Sequence, residues 1–150
     1  MAAGRNARNY FPYGRRWFVW DELDLAYFLG YAFWNYFALP ALLLRDDIRW
    51  EEICEGVLKP RFPAHLPTHG RKQRLIFDRD TGLLHRYDYR PEVVVGGLPL
   101  TVGNLVLEHT LSEVGMSYPS KRRMTPIRRD GGILKRPVMM TIEVKNWRLL

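Results

Sequence analysis

Residues 21–47 read DELDLAYFLGYAFWNYFALPALLLRDD, and how this stretch is placed decides the fold. Between Leu25 and Leu44 there is no charged side chain, and seven of the twenty residues are aromatic. Asp21 is a good N-cap, and Glu22 and Asp24 sit in the first turn, where the helix dipole favours negative charge. Pro40 breaks or kinks the helix, so the expected helical run is from Glu22 to Leu39. Twenty uncharged residues reach the length of a membrane span. Against a span stand Pro40 inside the stretch, Asn35 at its centre, and acids at both ends, with Asp46 and Asp47 after it. A helix apolar on nearly all sides is expected to be buried on most of them. Tyr27, Tyr31 and Trp34 fall on one stripe, and Phe33, Tyr36 and Phe37 on another. Such stripes form plain core or, because Tyr and Trp carry polar tips, the wall of a pocket.

Downstream the periodicity changes from helical to alternating. The segment RLIFDRDTGLLHRYDY, residues 74–89, reads as a hairpin with strands over 73–79 and 83–90 around the turn Asp80-Thr81-Gly82. TVGNLVLEHTL is a third strand, SYPSKRRMTPIRR a fourth, and PVMMTIEVKNWRL a last one after the turn signal RDGG. Trp50 to Val57 reads as a short strand or a helical turn, and Pro60, Pro63 and Pro67 as a rigid loop. The expected fold class is therefore α+β: an antiparallel sheet of about five strands covered by the aromatic helix. At 150 residues the chain is read as a single domain, 1–150, long enough to build a real core.

Alternation nominates the inward side chains. Leu83, His85, Tyr87 and Tyr89 share one face, and Leu84, Arg86, Asp88 and Arg90 the other, which their charges mark as wet. Leu105, Leu107 and His109 share a face, as do Val138, Met140, Ile142 and Val144. Pairing about a Gly96-Gly97 turn would put His85 opposite His109 and Tyr87 opposite Leu107. A one-residue slip would separate those faces. An apolar cavity with a few polar groups is where a small ligand binds. Imidazole moves protons near neutral pH, and a phenol donates to a carbonyl that gains charge. The candidate catalytic residues are thus His85, His109 and Tyr87. The candidate substrate-binding residues are Tyr27, Tyr31, Trp34, Tyr36, Tyr89, Leu107 and Met140.

Other chemistries find less support. The single Cys54 builds neither a disulfide nor a thiolate zinc site, and Glu51, Glu52 and Glu55 disfavour its thiolate. His65 and His69 have metal-ligand spacing but straddle Pro67 and lack a third ligand, so no metal is expected. GGLPLTVG lacks the strand-to-helix setting of a phosphate loop, and no G-x-S-x-G serine is present. No cofactor is expected. The N-terminal MAAGRNARNYFPYGRRW has no signal-peptide core, and a reducing cytoplasm fits.

The net charge is +7. It is concentrated in Arg5, Arg8, Arg15 and Arg16, and in Lys121, Arg122, Arg123, Arg128, Arg129, Lys135 and Arg136 against Asp130 alone. The 120–136 segment reads as a solvated hairpin or as a docking patch for an acidic carrier protein. Nucleic acid is a further possible partner of such a charge, and a less favoured one.

WDELDLAYFLGYAFWNYFALPALL, THGRKQRLIFDRDTGLLHRYDY with VVVGG, and YPSKRRMTPIRRDGGILKRPVMMTIEVKNWRL together resemble a family of uncharacterised bacterial proteins. There an aromatic helix W-D-x-L-x-x-x-Y-F-x-G-Y-A-x-W-N-Y precedes a T-H-x-x-x-Q strand, an H-D-Y strand and a Y/F-P-x-R-R-R strand. The resemblance spans most of residues 5–149. It implies a fold of the bacterial lipoprotein-carrier kind: a curved antiparallel sheet of about five strands forming an incomplete barrel, with the aromatic helix buried on the concave face, a half-barrel whose hollow side cups apolar ligands. Two departures stand out. The family's strands before the aromatic helix are missing here, which implies an open sheet edge and a homodimer. Tyr87 stands where the H-D-Y strand has His, which implies a remodelled pocket. The resulting expectation is a cofactor-independent cyclase or isomerase acting on a polyketide-like substrate. The alternatives are a non-catalytic carrier or sensor of a lipid-like ligand, and a nucleic-acid binder.

Overall fold

The computed structural model describes residues 22–70, 72–91 and 100–148. The Asp21 cap, the first arginines and the Gly96-Gly97 turn lie outside these residues. Helix α1 runs over Glu22–Phe37, and a single further turn, α2, over Leu39–Leu42. The break comes at Ala38, because Pro40 takes the first turn of α2, where its missing N–H is not needed. One side of α1 is buried, through Phe28, Tyr31, Ala32, Asn35 and Tyr36, whereas Leu25, Ala26 and Gly30 are exposed. Among the described residues no helix is long and apolar enough to cross a membrane.

Seven strands form one open antiparallel sheet in sequence order: β1 Arg49–Cys54, β2 Val57–Arg61, β3 Gln73–Phe77, β4 Leu84–Tyr89, β5 Val102–Leu111, β6 Ser117–Pro126 and β7 Met140–Glu143. The α+β class with a curved open sheet holds; the expected strand count of five does not. The two extra strands are the hairpin β1–β2. Its outer strand is exposed everywhere but at half-buried Trp50, so no alternation of polarity marks it. Pro60 belongs to β2, opposite Trp50, and not to the loop after it. It is tolerated because the ladder to β3 covers only Val57 and Leu58.

Two irregularities decide which side chains enter the core. Between β3 and β4 the register steps from Ile76↔Arg86 to Phe77↔Leu84, so His85 is the extra residue of a bulge. The bulge switches the parity of the strand. Leu84, Tyr87 and Tyr89 are all buried, and His85 is left exposed in solvent. Between β4 and β5, Tyr87 pairs with Asn104 and Tyr89 with Val102. Relative to the expected Tyr87–Leu107 pairing this is a slip of three, an odd number, which exchanges the faces of β5. Val102, Asn104 and Val106 therefore point inward, and Leu107 is 48% exposed.

The core lies between α1 and one face of the sheet. Leu75, Tyr87, Tyr89, Val102, Val106 and Met124 meet Phe28, Tyr31, Ala32, Tyr36 and Leu39, with Met140 and Ile142 packed at the flank. The opposite face is not uniformly wet, contrary to its charges. Asp88 is 2% exposed. It accepts two bonds of 2.6 Å from Arg86 and one of 3.3 Å from Arg74. The 127–133 hairpin, closed by an Ile127↔Ile133 bridge, lies over this region. Gly103 permits that approach, since a Cβ there would meet Ile133 at 3.1 Å and Ile127 at 3.2 Å.

Candidate functional site

The core contains far more polar atoms than its apolar rim suggests. Alternate residues of β4 supply Tyr87 and Tyr89, α1 supplies Tyr31, Asn35 and Tyr36, and β5 and β6 supply Asn104 and Arg122. The loop before β3 inserts His69 among them. Gly70 makes this insertion possible: its N–H donates to the Arg90 carbonyl at 2.8 Å, and a Cβ at Gly70 would sit 3.1 Å from that oxygen. Gln73 Nε2 donates to the His69 carbonyl at 2.9 Å and to Thr68 Oγ1 at 3.1 Å. Thr68 Oγ1 donates to Asn35 Oδ1 at 3.2 Å, and Tyr87 Oη donates to Gln73 Oε1. A chain of neutral hydrogen bonds thus ties the loop to both helix and sheet.

The His69 ring, 2% exposed, stacks on Tyr89 at 3.5 Å and 11°. It meets Tyr31 edge-on at 5.0 Å and Tyr87 at 5.7 Å. Among the described residues neither of its ring nitrogens has a hydrogen-bond partner. Burial holds its pKa well below the ordinary histidine value, so the imidazole is neutral. Tyr36 and Tyr89 share a 2.7 Å hydrogen bond between their hydroxyls. Burial pushes Tyr36 up to about 12, and Tyr87 and Tyr89 well above the ordinary phenol value, so all three hydroxyls are protonated at neutral pH. Arg122 is 1% exposed, with its Cζ 4.8 Å above the Tyr36 ring. Burial lowers its pKa to about 10, which still leaves it cationic.

A cavity of about 640 Å³ opens beside this cluster, with His69 and Gln73 among its lining and Lys59, Pro60, Phe62 and Pro63 in its walls. That volume suits a drug-sized ligand. An imidazole without a partner, a phenol pair and an amide chain beside a cavity of mixed lining, with Lys59 and Arg61 as well as Pro60, Phe62 and Pro63 in its walls, can accept a proton, donate to a carbonyl, and fix an orientation.

The structure brings Tyr31, Tyr36, Tyr87 and Tyr89 together as expected from the sequence. Tyr27 is half-buried and packs edge-on against Tyr31 at 5.3 Å; Trp34 is also half-buried, and Met140 packs at the core's flank. His85 faces outward because of the bulge, and Leu107 because of the β4–β5 register. His109 pairs with Pro119 beyond a second irregularity, five residues along β5 from Asn104, a separation of about 16 Å. It is half-buried, and burial followed by the nearby Arg122 lowers its pKa. The two imidazoles expected to do the chemistry are thus outside the cluster, and His69 is inside it. His65 turns the other way, 3.3 Å from Asp47. Among the described residues no three His, Cys, Asp or Glu side chains converge as metal ligands. The basic 120–136 segment is also divided: Arg122 is interior, and Arg128, Arg129, Lys135 and Arg136 are exposed. The signal for His69 was the T-H-x-x-x-Q spacing, Thr68-His69-x3-Gln73, whose three side chains the loop draws into one network. No family model matches this sequence, and neither a curated protein nor a solved structure is detectably similar to it.

Proposed function

We propose that the chain binds an apolar small molecule in the cavity between β2 and the 62–70 loop, beside the helix–sheet core, as a half-barrel of the lipoprotein-carrier kind would. We propose further that it acts there as a cofactor-independent cyclase or isomerase on a polyketide-like substrate. One observation carries this reading: a neutral imidazole, with both nitrogens unpartnered, lines a cavity of about 640 Å³ among three protonated tyrosines. His69 takes the role assigned from sequence to His85 and His109. Its free nitrogen removes a proton from carbon beside a carbonyl. The electron pair passes to the carbonyl oxygen, which a tyrosine hydroxyl holds. Return of the proton at another carbon completes an isomerisation; attack of the enolate carbon on a second carbonyl of the folded chain closes a ring, and the alkoxide formed there takes the proton back from His69. Holding a flexible substrate in that shape lowers the barrier by several kcal/mol.

A second reading, a carrier or sensor of a lipid-like ligand, is favoured by one feature. No side chain orients the His69 ring through a hydrogen bond, whereas catalytic bases are held by such a partner. The exposed arginines near the 128–136 turn suit an acidic carrier protein, and the edges of β1 and β7, unpaired among the described residues, suit a homodimer.

The test starts with native mass spectrometry of the purified chain, to identify a copurifying apolar molecule. That molecule is then incubated with the native protein, with His69→Phe and with Ala64→Trp, which fills the cavity from an exposed wall position. Conversion by the native chain only, with binding kept in His69→Phe and lost in Ala64→Trp, supports the enzyme. Binding without conversion in both native and His69→Phe proteins supports the carrier. Undiminished binding in Ala64→Trp would overturn the site.

A further inference from the structure

Part of the unpartnered polar set of the interior is gathered in one place, whereas Trp50 on β1 and Arg123 and Thr125 on the other face of β6 lie apart from it. Three residues of the gathered part, Asn104, Ser120 and Arg122, lie on the inner face of the neighbouring strands β5 and β6. Their free atoms are Asn104 Nδ2, Ser120 Oγ, and Arg122 Nε and Nη2. All of them can donate, and the two nitrogen-bearing groups can only donate. The guanidinium has one long bond, 3.5 Å from Nη1 to Asn104 Oδ1, and its face rests on Tyr36. Among the described residues no carboxylate forms an ion pair with it; Asp88, the buried acid of β4, serves Arg86 and Arg74 on the other face. A buried cation without a counter-charge is a costly arrangement that a bound anion would relieve.

Exposure rises along the set, from 0% at Asn104 and 1% at Arg122 to 6% at Ser120. Ser120 also borders a second cavity of about 340 Å³, rimmed by Glu108, Lys121, Glu143 and Lys145, whose charges balance. Ser120 is thus the member of the set that borders a cavity, and Arg122 and Asn104 lie behind it.

We propose that Arg122, Asn104 and Ser120 hold the anionic end of the ligand, and that the ligand is an organic carboxylate with an apolar body. This rests on the reading of the cavity beside His69 as a small-molecule site. A planar guanidinium with two free N–H groups matches the two oxygens of a carboxylate, and Tyr36, in contact with both Arg122 and His69, joins the anion end to the cavity.

The probes are 2-naphthoate, its neutral amide 2-naphthamide, and inorganic phosphate, each titrated by fluorescence or calorimetry into the full chain, Arg122→Met and Arg122→Lys. The expected result is naphthoate binding at least about tenfold tighter than naphthamide, the difference that one charge-assisted pair supplies. Arg122→Met should erase that preference and Arg122→Lys keep part of it, which covers a Met variant that fails to fold. Equal binding of acid and amide, unchanged in the variants, overturns the anion site and leaves the pocket standing. Absence of binding by either naphthalene overturns both. Phosphate binding as tightly as naphthoate, and lost in Arg122→Met, overturns the carboxylate assignment.

Discussion

Removing the interior cation should make the ligand-free protein more stable. Arg122 is buried, and its pKa falls from 12.5 to about 10 on folding, chiefly through loss of water. A fall of that size corresponds to a cost of about 3 kcal/mol to the folded state at neutral pH. The contact with the Tyr36 ring offsets about 1 kcal/mol of it. Methionine keeps the unbranched apolar stem without the charge, so Arg122→Met should gain about 2 kcal/mol, or about 4–8 °C in Tm for a chain of this size. The sign with pH follows from the lowered pKa. The folded state releases this proton before the unfolded state does, so the native chain recovers its deficit only as pH rises through about 10. The assay is equilibrium urea unfolding at pH 7.5, in buffer free of carboxylate and phosphate, on protein refolded from urea to strip any ligand. A variant less stable than the native chain by more than about 1 kcal/mol would refute the reasoning, because the guanidinium would then be stabilising without an anion.

Further outcomes are expected of the same interior and of the outer face of the sheet. Below about pH 6.5 the unfolded chain protonates His69 while the folded chain does not, so the native protein should lose up to about 1.4 kcal/mol per pH unit relative to His69→Phe; parallel stability curves for the two proteins would contradict a neutral buried imidazole. Tyr36→Phe and Tyr89→Phe should each cost about 1–2 kcal/mol, and the double variant clearly less than the sum, since both remove the one 2.7 Å bond; strict additivity in urea unfolding would mean the hydroxyls do not interact. On the outer face, Asp88→Asn should cost about 3 kcal/mol by unpairing Arg86. Arg74→Ala, which removes the exposed partner, should cost under about 1 kcal/mol by the same measurement.

The helix and five of the strands were legible because each carries its own periodicity. The tyrosines of the core were legible for the same reason. What failed was parity. A strand's alternation nominates a face only if no residue is inserted, and the bulge at His85 inserts one. The β4–β5 register failed likewise, because nothing local in the chain counts the residues between Tyr89 and Val102. With both shifts in place, each expected imidazole left the site. The sequence marks His69 only alongside His65, as a metal-ligand spacing set aside because it straddles Pro67 and lacks a third ligand; only the loop's fold shows that the two rings diverge and that His69 enters the core. Arg122 looked like one more charge on a basic surface, since alternation in SYPSKRRMTP is masked by the run Lys121-Arg122-Arg123.

The uneven quality of the interior also bears on motion. β5 and β6, ten residues each, share a long ladder, and their backbone bonds depend on each other. Helix α1 instead rests on a seam where ring nitrogens, an amide and a guanidinium go unsatisfied. Local opening is easiest where burial yields least. Amide hydrogens of α1 would therefore trade with solvent well before those of the β5–β6 ladder, and occupancy of the seam would slow that exchange in the helix first.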